Sequence, residues 1–295
     1  MIPKSLGIVD RILVLGASGL VGEKCLARLP GALGTCHAHP GPGLLRLDKS
    51  DPEAVLALFR KHRPAAVVDC AAIADVDACE RDPEACRRVN DLGTRNVLEA
   101  CRGTGAFLLF FSTDYVFPGD REAPYAESDP VRPLNHYGRC KVASERAILG
   151  SGVPAAIVRT SVIYGAGGRS RPNFAAWLAG ELGAGRRVRG VTDRWSHPTI
   201  ADDLAEAAAA ILDRRVTGLF HVAGPECATR YEFARTLAEV WGFDPGLVEP
   251  CRAAELKQAA ERPRRVALDL SKARRELGVR CRAMREGLGA MRNLG

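Results

Sequence analysis

Short hydrophobic runs alternate with amphipathic stretches through the first half of the chain. The apolar runs predict strands at 11–15, 33–36, 65–69, 107–112 and 155–159. Apolar residues at helical spacing predict helices at 21–29, 51–61, 83–101 and 135–149. Strands and helices that alternate in this way form a parallel sheet covered on both faces. The pattern therefore predicts an α/β protein with a Rossmann-type doubly wound parallel sheet.

The alternation becomes less regular after residue 165. A helix at 203–213 and a strand at 218–222 are still predicted, and the strand reads as one more member of the sheet. We therefore expect a dinucleotide-binding Rossmann domain over 1–165, with its sheet completed by about 199–224. The ranges 166–198 and 225–295 are predicted to form a smaller substrate-binding lobe.

A glycine-rich segment follows the first predicted strand directly and opens the first helix. Its glycines, at a GxxGxxG spacing, allow a tight turn, a close approach of the backbone to a pyrophosphate, and close packing of helix on strand. The helix N-terminus then offers free N–H groups to phosphates. The predicted cofactor-binding residues of this segment are Gly16, Ser18, Gly19, Leu20, Val21 and Gly22.

The end of the second strand bears on the choice between NADP and NAD. An acidic residue there would bind the ribose 2′-hydroxyl and repel a 2′-phosphate, but residues 36–39 carry no carboxylate and include His37. We therefore predict NADP(H) and leave NAD(H) open. Asp48 is placed to meet the adenine, and Ala71 and Ala72 leave room beside the adenosine ribose.

Candidate catalytic residues lie at and after the strand 107–112. Ser112 and Thr113 end this strand, where open α/β sheets bind ligands. Tyr137 and Lys141 are four residues apart in a predicted helix and would share a face. A lysine ammonium nearby would lower the phenol pKa from about 10 and suit Tyr137 to acid–base catalysis. Lys141 could also hold the nicotinamide ribose, and a strand-end hydroxyl could polarise a substrate carbonyl.

Composition and charge narrow the function classes. The 295 residues are 46% hydrophobic and 26% charged, and no apolar run reaches the roughly 18 residues of a membrane helix. The N-terminal stretch, interrupted by Asp10 and Arg11, does not resemble a secretory signal. The net charge of +7 comes from arginines dispersed among acids, which favours phosphate-bearing small molecules over nucleic acid. We expect a cytoplasmic protein without membrane contact.

The ten cysteines are scattered and contain no CxxC pair. In a chain without an export signal this spacing favours reduced thiols over a disulfide framework. It also gives no indication of a metal site.

These segments together resemble the dTDP-4-dehydrorhamnose reductase family of extended short-chain dehydrogenases/reductases, over almost the whole chain. The segments that carry the resemblance are the glycine loop, Ala71-Ala72, Val89-Asn90, Ser112–Phe117, Pro133–Gly138 with Lys141, Arg159–Ser161, Tyr164-Gly165, Pro198–Asp203 and Arg262–Arg264 followed by Leu268-Asp269. The resemblance implies NADPH-dependent reduction of the 4-keto group of a nucleotide-linked deoxysugar.

The same resemblance implies roles for individual residues. Thr113, Tyr137 and Lys141 would be catalytic, with Tyr137 supplying the proton and Tyr137 and Lys141 also contacting the cofactor. The other implied contacts are Thr160 and Ser161 near the nicotinamide amide, Asn90 on the active-site side of the sheet, and Ser112, Tyr115, Val162 and Asn173 around the substrate. The family often carries a tryptophan where this chain has Val162, which puts the particular sugar in doubt.

Two other functions are compatible with the resemblance. Dehydratases of the superfamily typically place a glutamate where this chain has Tyr115, so dehydration is disfavoured. The regulatory subunit of methionine adenosyltransferase resembles the same family, binds NADP and retains the tyrosine and lysine. A regulatory NADP-binding role is therefore the alternative to the reductase, because fold does not settle function. A homodimer is also compatible with the resemblance.

Overall fold

The computed structural model of the protein describes residues 12–169 and 172–293. The N-terminal stretch discussed above, including Arg11 of the first predicted strand, lies outside these residues. Within them, no helix is both long enough and apolar enough to cross a membrane.

The elements follow the predicted alternation closely. The strands are β1 (Ile12–Leu15), β2 (Leu33–Cys36), β3 (Leu45–Arg46), β4 (Ala66–Asp69), β5 (Phe107–Thr113), β6 (Ala155–Thr160), β7 (Ile163–Tyr164), β8 (Val188–Val191), β9 (Trp195–Ser196), β10 (Thr199–Ile200), β11 (Gly218–His221), β12 (Ala228–Thr229) and β13 (Val248–Cys251). The helices are α1 (Leu20–Arg28), α2 (Pro52–His62), α3 (Val76–Arg81), α4 (Pro83–Arg87), α5 (Gly93–Thr104), α6 (His136–Leu149), α7 (Phe174–Gly183), α8 (Ala201–Arg214), α9 (Arg230–Trp241), α10 (Ser271–Leu277) and α11 (Met284–Arg292).

Seven strands form the central sheet in the order β11-β6-β5-β4-β1-β2-β3, and every pairing is parallel. Successive residues of β1 point to opposite faces, so Leu13 packs into one core and Val14 into the other. One core includes residues of α1 and α8, and the other includes residues of α2 and α5. The predicted doubly wound α/β fold is confirmed.

The lobe is built from short strands and three helices. The parallel pair β8–β13 packs with α7, α9 and α11 around a separate core that includes Phe233 and Leu288. Ala273 and Leu277, which fall in the range assigned to the lobe, instead pack into one core of the central sheet. Part of the C-terminal segment therefore returns to the Rossmann sheet.

The predicted helix at 83–101 has a different internal structure. It consists of α4, a π-helical turn over Arg88–Leu92, and α5, and it is preceded by the unpredicted helix α3. Asn90 lies in the π turn and is fully buried. Its amide accepts a hydrogen bond from Ile73 N (2.8 Å) and donates one to Ile73 O (2.9 Å), which fixes the segment that follows β4.

Candidate active site

The glycine-rich segment turns sharply between β1 and α1. Gly16 has a φ of +74°, and a Cβ there would lie 2.8 Å from Ala71 Cα, so the turn requires glycine. A side chain on Gly22 would overlap the Gly16 carbonyl. No side chain caps α1, whose N-cap is Gly19. The first N–H groups of this helix are therefore available to an anion.

Ala71 and Ala72 follow β4 beside this turn. The Lys49 ammonium, which is buried, lies 2.8 Å from Asp69 Oδ2 and donates to Ala71 O at 2.6 Å. Asp69 Oδ1 accepts a hydrogen bond from Ala71 N. The sequence alone did not indicate Lys49, because a single lysine between predicted elements belongs to no motif. This ion pair sets the path of the chain at the predicted ribose pocket.

His37 and Asp48 lie together beyond β2, with His37 Nε2 3.7 Å from Asp48 Oδ2. Both side chains are exposed, and Asp48 Oδ1 accepts hydrogen bonds from the backbone and hydroxyl of Ser50. A further cation stands nearby: Arg169 Nε lies 2.8 Å from where a Cβ of Gly41 would be. The Arg169 guanidinium, which comes from the segment after β7, therefore lies against the loop after β2, and the sequence did not indicate this contact.

The predicted catalytic pair lies in the first two turns of α6, where Asn135 caps the helix by accepting from Gly138 N. Lys141 Nζ stands 5.9 Å from the centre of the Tyr137 ring and donates to Phe111 O at 2.9 Å. Burial, together with the neighbouring Lys49 ammonium, lowers the pKa of Lys141 to about 8. Burial raises the pKa of Tyr137, in contrast to the lowering that the sequence analysis expected from Lys141. The phenol is thus held in its protonated form.

Hydroxyl groups gather where β5 and β6 end. Thr113 Oγ1 lies 3.2 Å from Asp114 Oδ1 and accepts a hydrogen bond from Tyr115 N, while Ser161 Oγ donates to Asp114 Oδ2 at 2.6 Å. Burial raises the pKa of Asp114 to about 6, although the hydrogen bonds from Ser161 and Thr113 oppose that rise. Thr160 Oγ1 is buried and has no hydrogen-bond partner among the described residues. An unpaired buried hydroxyl at a strand end is suited to a ligand amide.

Two of the predicted substrate residues, Ser112 and Asn173, have polar groups that form hydrogen bonds within the protein. Ser112 Oγ donates to Glu145 Oε1 at 2.5 Å, within a buried ion pair between Glu145 and Arg159. Asn173 caps α7 through its Oδ1 and donates to Gly165 O. Both side chains therefore serve the local structure, because each has an internal partner within hydrogen-bond distance.

A cavity of about 470 Å³ lies between the sheet edge and the lobe. Its lining includes Tyr115 and Val162, two of the predicted substrate residues, and Tyr137 contacts Tyr115 edge-on with ring centroids 6.4 Å apart. Val162 has a φ of +41°, which a β-branched residue rarely adopts. Sequence reasoning missed most of the remaining lining, which includes Asp114, Phe174, Trp195 and the five arginines Arg81, Arg189, Arg194, Arg230 and Arg262.

The arginines give this cavity an excess of positive charge. Arg262 pairs with Asp77 and Arg189 with Glu255, whereas Arg194 donates to the neutral amide of Gln258. Arg230 stacks on Phe174, 4.4 Å from the ring centre, and has no carboxylate partner in the part of the chain that the structure describes. Burial lowers the pKa of both Arg194 and Arg230. Cations buried in this way favour an anionic ligand.

A parallel Rossmann sheet, a glycine turn at a helix N-terminus and a Tyr–Lys pair beside a strand-end threonine define an NAD(P)-dependent oxidoreductase of the extended short-chain dehydrogenase/reductase type. The chain belongs to the RmlD substrate binding domain family, whose model matches residues 10–294. The resemblance inferred from the sequence to dTDP-4-dehydrorhamnose reductases is thereby confirmed.

Individual relatives extend over most of the chain. A dTDP-4-dehydrorhamnose reductase from Streptomyces griseus is 39% identical over 269 residues, covering 89% of this chain and 86% of that protein. The methionine adenosyltransferase 2 subunit beta of Rattus norvegicus is 30% identical over 273 residues, covering 89% and 81%. The crystal structure of the Bacillus anthracis dTDP-4-dehydrorhamnose reductase in complex with NADP superposes with a TM-score of 0.88 at 26% identity, covering 97% of this chain and 99% of that one.

Proposed function

We propose that the protein uses NADPH to reduce the 4-keto group of a nucleotide-linked deoxysugar, with Tyr137 as the proton donor. The observation that carries the proposal is the position of Tyr137, which adjoins Lys141 on one side and Tyr115, a wall of the arginine-lined cavity, on the other. We assign 1–165 with 199–224 to the cofactor domain and 166–198 with 225–295 to the lobe, apart from α10, which packs on the central sheet. The lobe supplies most of the residues that line the cavity.

The residues present fit a bound nicotinamide dinucleotide. The uncapped N-terminus of α1 suits its pyrophosphate, and the unpaired Thr160 hydroxyl, with Ser161, suits its carboxamide. His37 and the nearby Arg169 favour NADP(H) over NAD(H), because both can face a 2′-phosphate and no acid follows β2 directly. The bound cofactor supplies the hydride. The adenosine of the cofactor would lie against Asp48, Ala71 and Ala72. Asn90 would order the active-site side of the sheet through its hydrogen bonds to the Ile73 backbone.

The proton is supplied by the chain itself. Because burial raises the pKa of Tyr137, its phenol is protonated before the reaction and can donate to the oxygen that develops negative charge. Thr113 is placed at the strand end to hydrogen-bond the same oxygen. Lys141, with a pKa lowered to about 8 by burial, positions the ribose and stabilises the phenolate that remains.

The charge and lining of the cavity support a nucleotide sugar as the substrate. A nucleotide sugar carries a diphosphate, and the guanidinium groups of Arg194 and Arg230 can donate paired hydrogen bonds to phosphate oxygens. The lining also includes Trp195, whose ring can pack on a ring of the same ligand. The close match to the Streptomyces griseus dTDP-4-dehydrorhamnose reductase supports a deoxythymidine diphosphate sugar.

The test is the oxidation of NADPH, followed by absorbance, with dTDP-4-keto-6-deoxy-L-mannose generated in situ. Tyr137→Phe should lower kcat by about 10²–10⁴-fold, since the phenylalanine fills the same space without a transferable proton. NADPH binding, measured by fluorescence, should persist in this variant. Undiminished turnover by Tyr137→Phe would remove Tyr137 from the mechanism.

The regulatory alternative rests on the match to the methionine adenosyltransferase 2 subunit beta. A regulatory subunit would bind NADP and change the activity of a methionine adenosyltransferase when the two proteins are mixed. A reductase needs no such partner. Turnover of the keto-sugar by the isolated chain supports the reductase, and NADPH binding without turnover, together with a changed synthetase activity, supports the alternative.

A further inference from the structure

Three buried cysteines that are distant in sequence meet beside the first turn of α6. Cys79, Cys86 and Cys140 form a small core cluster against which Ile73 and Tyr137 pack. The Asn90 amide nitrogen lies 3.3 Å from Cys86 Sγ and 3.9 Å from Cys79 Sγ. The cluster therefore joins the α3–α4 segment to the helix that carries the predicted acid.

A histidine completes this group. His136 and Cys140 are four residues apart at the start of α6 and so share one face of the helix. The imidazole, Cys86 Sγ and Cys140 Sγ offer three ligand atoms that all lie within 4.8 Å of one another. His136 Nε2 is buried and makes no hydrogen bond within the ranges that the structure describes. A buried imidazole nitrogen without a partner needs a ligand, since its desolvation is otherwise uncompensated.

The distances match one kind of ligand. Two thiolates bound to one tetrahedral zinc ion at about 2.3 Å stand about 3.8 Å apart. Cys86 Sγ and Cys140 Sγ are 3.8 Å apart. A zinc–nitrogen distance of about 2.0–2.1 Å places the imidazole nitrogen about 3.6 Å from each sulfur. The imidazole lies within 4.8 Å of both sulfurs, so it has to move inward by no more than about 1.2 Å.

We propose that Cys86, Cys140 and His136 form a binding site for a thiophilic divalent metal ion of the zinc type, with the neighbouring Cys79 thiol or a water molecule as the fourth ligand. The ion links α4 to the first turn of α6. The proposal concerns a structural site, and it does not depend on the identity of the sugar or on the reductase activity.

Metal binding at these thiols is coupled to proton release. A thiolate is the form of cysteine that binds metal, so an ion bound by Cys86 and Cys140 displaces the thiol protons. The affinity for the ion should therefore rise with pH.

The first measurement uses the full-length protein, reduced, treated with chelator and then loaded with Zn²⁺ or Co²⁺. We expect one metal ion per chain after gel filtration, and with Co²⁺ the thiolate charge-transfer and d–d absorption bands of a tetrahedral site. Cys86→Ser, Cys140→Ser and His136→Gln should each weaken the affinity by more than about 100-fold, because each removes a direct ligand. Cys281→Ser is the matched control, since Cys281 is half-buried and packs against the sheet core instead.

A second measurement needs no variant and so does not depend on whether the variants fold. Alkylation mapped by mass spectrometry should find Cys86 and Cys140 protected by Zn²⁺ in the wild-type protein, while Cys281 reacts at the same rate with and without metal. Saturating zinc should also raise the melting temperature by about 5–10 °C at a hundredfold excess over Kd. The proposal is overturned if substoichiometric metal is retained, if the cobalt bands survive in both cysteine variants, or if Zn²⁺ leaves the alkylation of Cys86 and Cys140 unchanged.

Discussion

The carboxyl edge of the central sheet and the cavity beneath the lobe differ in the partners of their charged side chains. At the sheet edge two buried ion pairs hold the local geometry: Lys49 binds Asp69, and Arg159 binds Glu145. In the cavity, Arg230 stacks on Phe174 and lacks a carboxylate partner among the described residues. The ion pairs of the first region stabilise internal geometry, whereas the second region has positive charge that can bind a ligand.

This difference separates two functions that the active site has to combine. Under the proposed function, the sheet edge positions Tyr137 as the proton donor, so changes there should affect kcat. Positive charge in the cavity would bind the anionic substrate, so changes there should affect KM. Replacing a cavity arginine tests this division, and substitutions at the border and the rim of the cavity have smaller expected effects, on stability.

The largest effect should come from replacing Arg230, the cavity cation that stacks on Phe174, and it should be a loss of substrate affinity. Arg230→Met keeps much of the side-chain volume on Phe174 but removes the charge, and KM for the nucleotide sugar should rise about 100-fold while kcat changes little, because a desolvated charge-assisted contact contributes about 1.5–3 kcal/mol. Arg187→Met is the control, since Arg187 is exposed and pairs with Glu249 outside the cavity. A loss that appears in kcat alone would contradict the division between the two regions.

Asp114, which lies on the border between the regions, should make stability depend on pH. Its pKa is about 6 in the folded protein and about 3.8 in the unfolded chain, so the folded state binds the extra proton between these values. The free energy of unfolding should therefore fall as pH rises through this window, and Asp114→Asn should abolish the effect. Between pH 4.5 and 7, the gain in stability from Asp114→Asn should increase by about 2 kcal/mol in urea unfolding. A constant gain across that range would show that Asp114 titrates normally.

The smallest effect should come from the strained residue at the rim of the cavity. Val162 has a φ of +41°, and a β-branched residue in the left-handed region costs about 1–2 kcal/mol. Val162→Asn should raise stability by about 1 kcal/mol, because asparagine tolerates this conformation. Val131→Asn, at a half-buried position without a positive φ, should destabilise the protein. Equal losses in both variants would mean that Val162 is not strained.

The fold was accessible to sequence reasoning because its determinants are local. Apolar runs bounded by turns marked β1, β2, β4, β5, β6 and β11, and the glycines marked the turn between β1 and α1. The spacing of Tyr137 and Lys141 on a helix placed them on one side of α6. In each case, neighbours in sequence fix the geometry.

The parts that were missed depend on contacts between distant segments. The arginines of the cavity come from residues 81–262 and have no common spacing. The partners of Ser112 and Asn173, Glu145 for one and the start of α7 for the other, were likewise not visible in the sequence. Cys86 and Cys140 are 54 residues apart, so no short motif indicated that they meet. The raised pKa of Tyr137 was missed because burial is a tertiary property.

The π-helical turn at Arg88–Leu92 makes the position of Cys86 sensitive to the deletion of a single residue. A π turn accommodates one residue more than an α turn, so α4 and α5 are out of phase by one position. Deleting any one residue of this stretch would let a continuous α-helix form, and α4 would rotate by about 100° relative to α5. That rotation would carry Cys86 away from Cys140, even though neither cysteine had changed. Single-residue deletions here should therefore be tolerated less well than substitutions of Arg88, the exposed residue of the same turn.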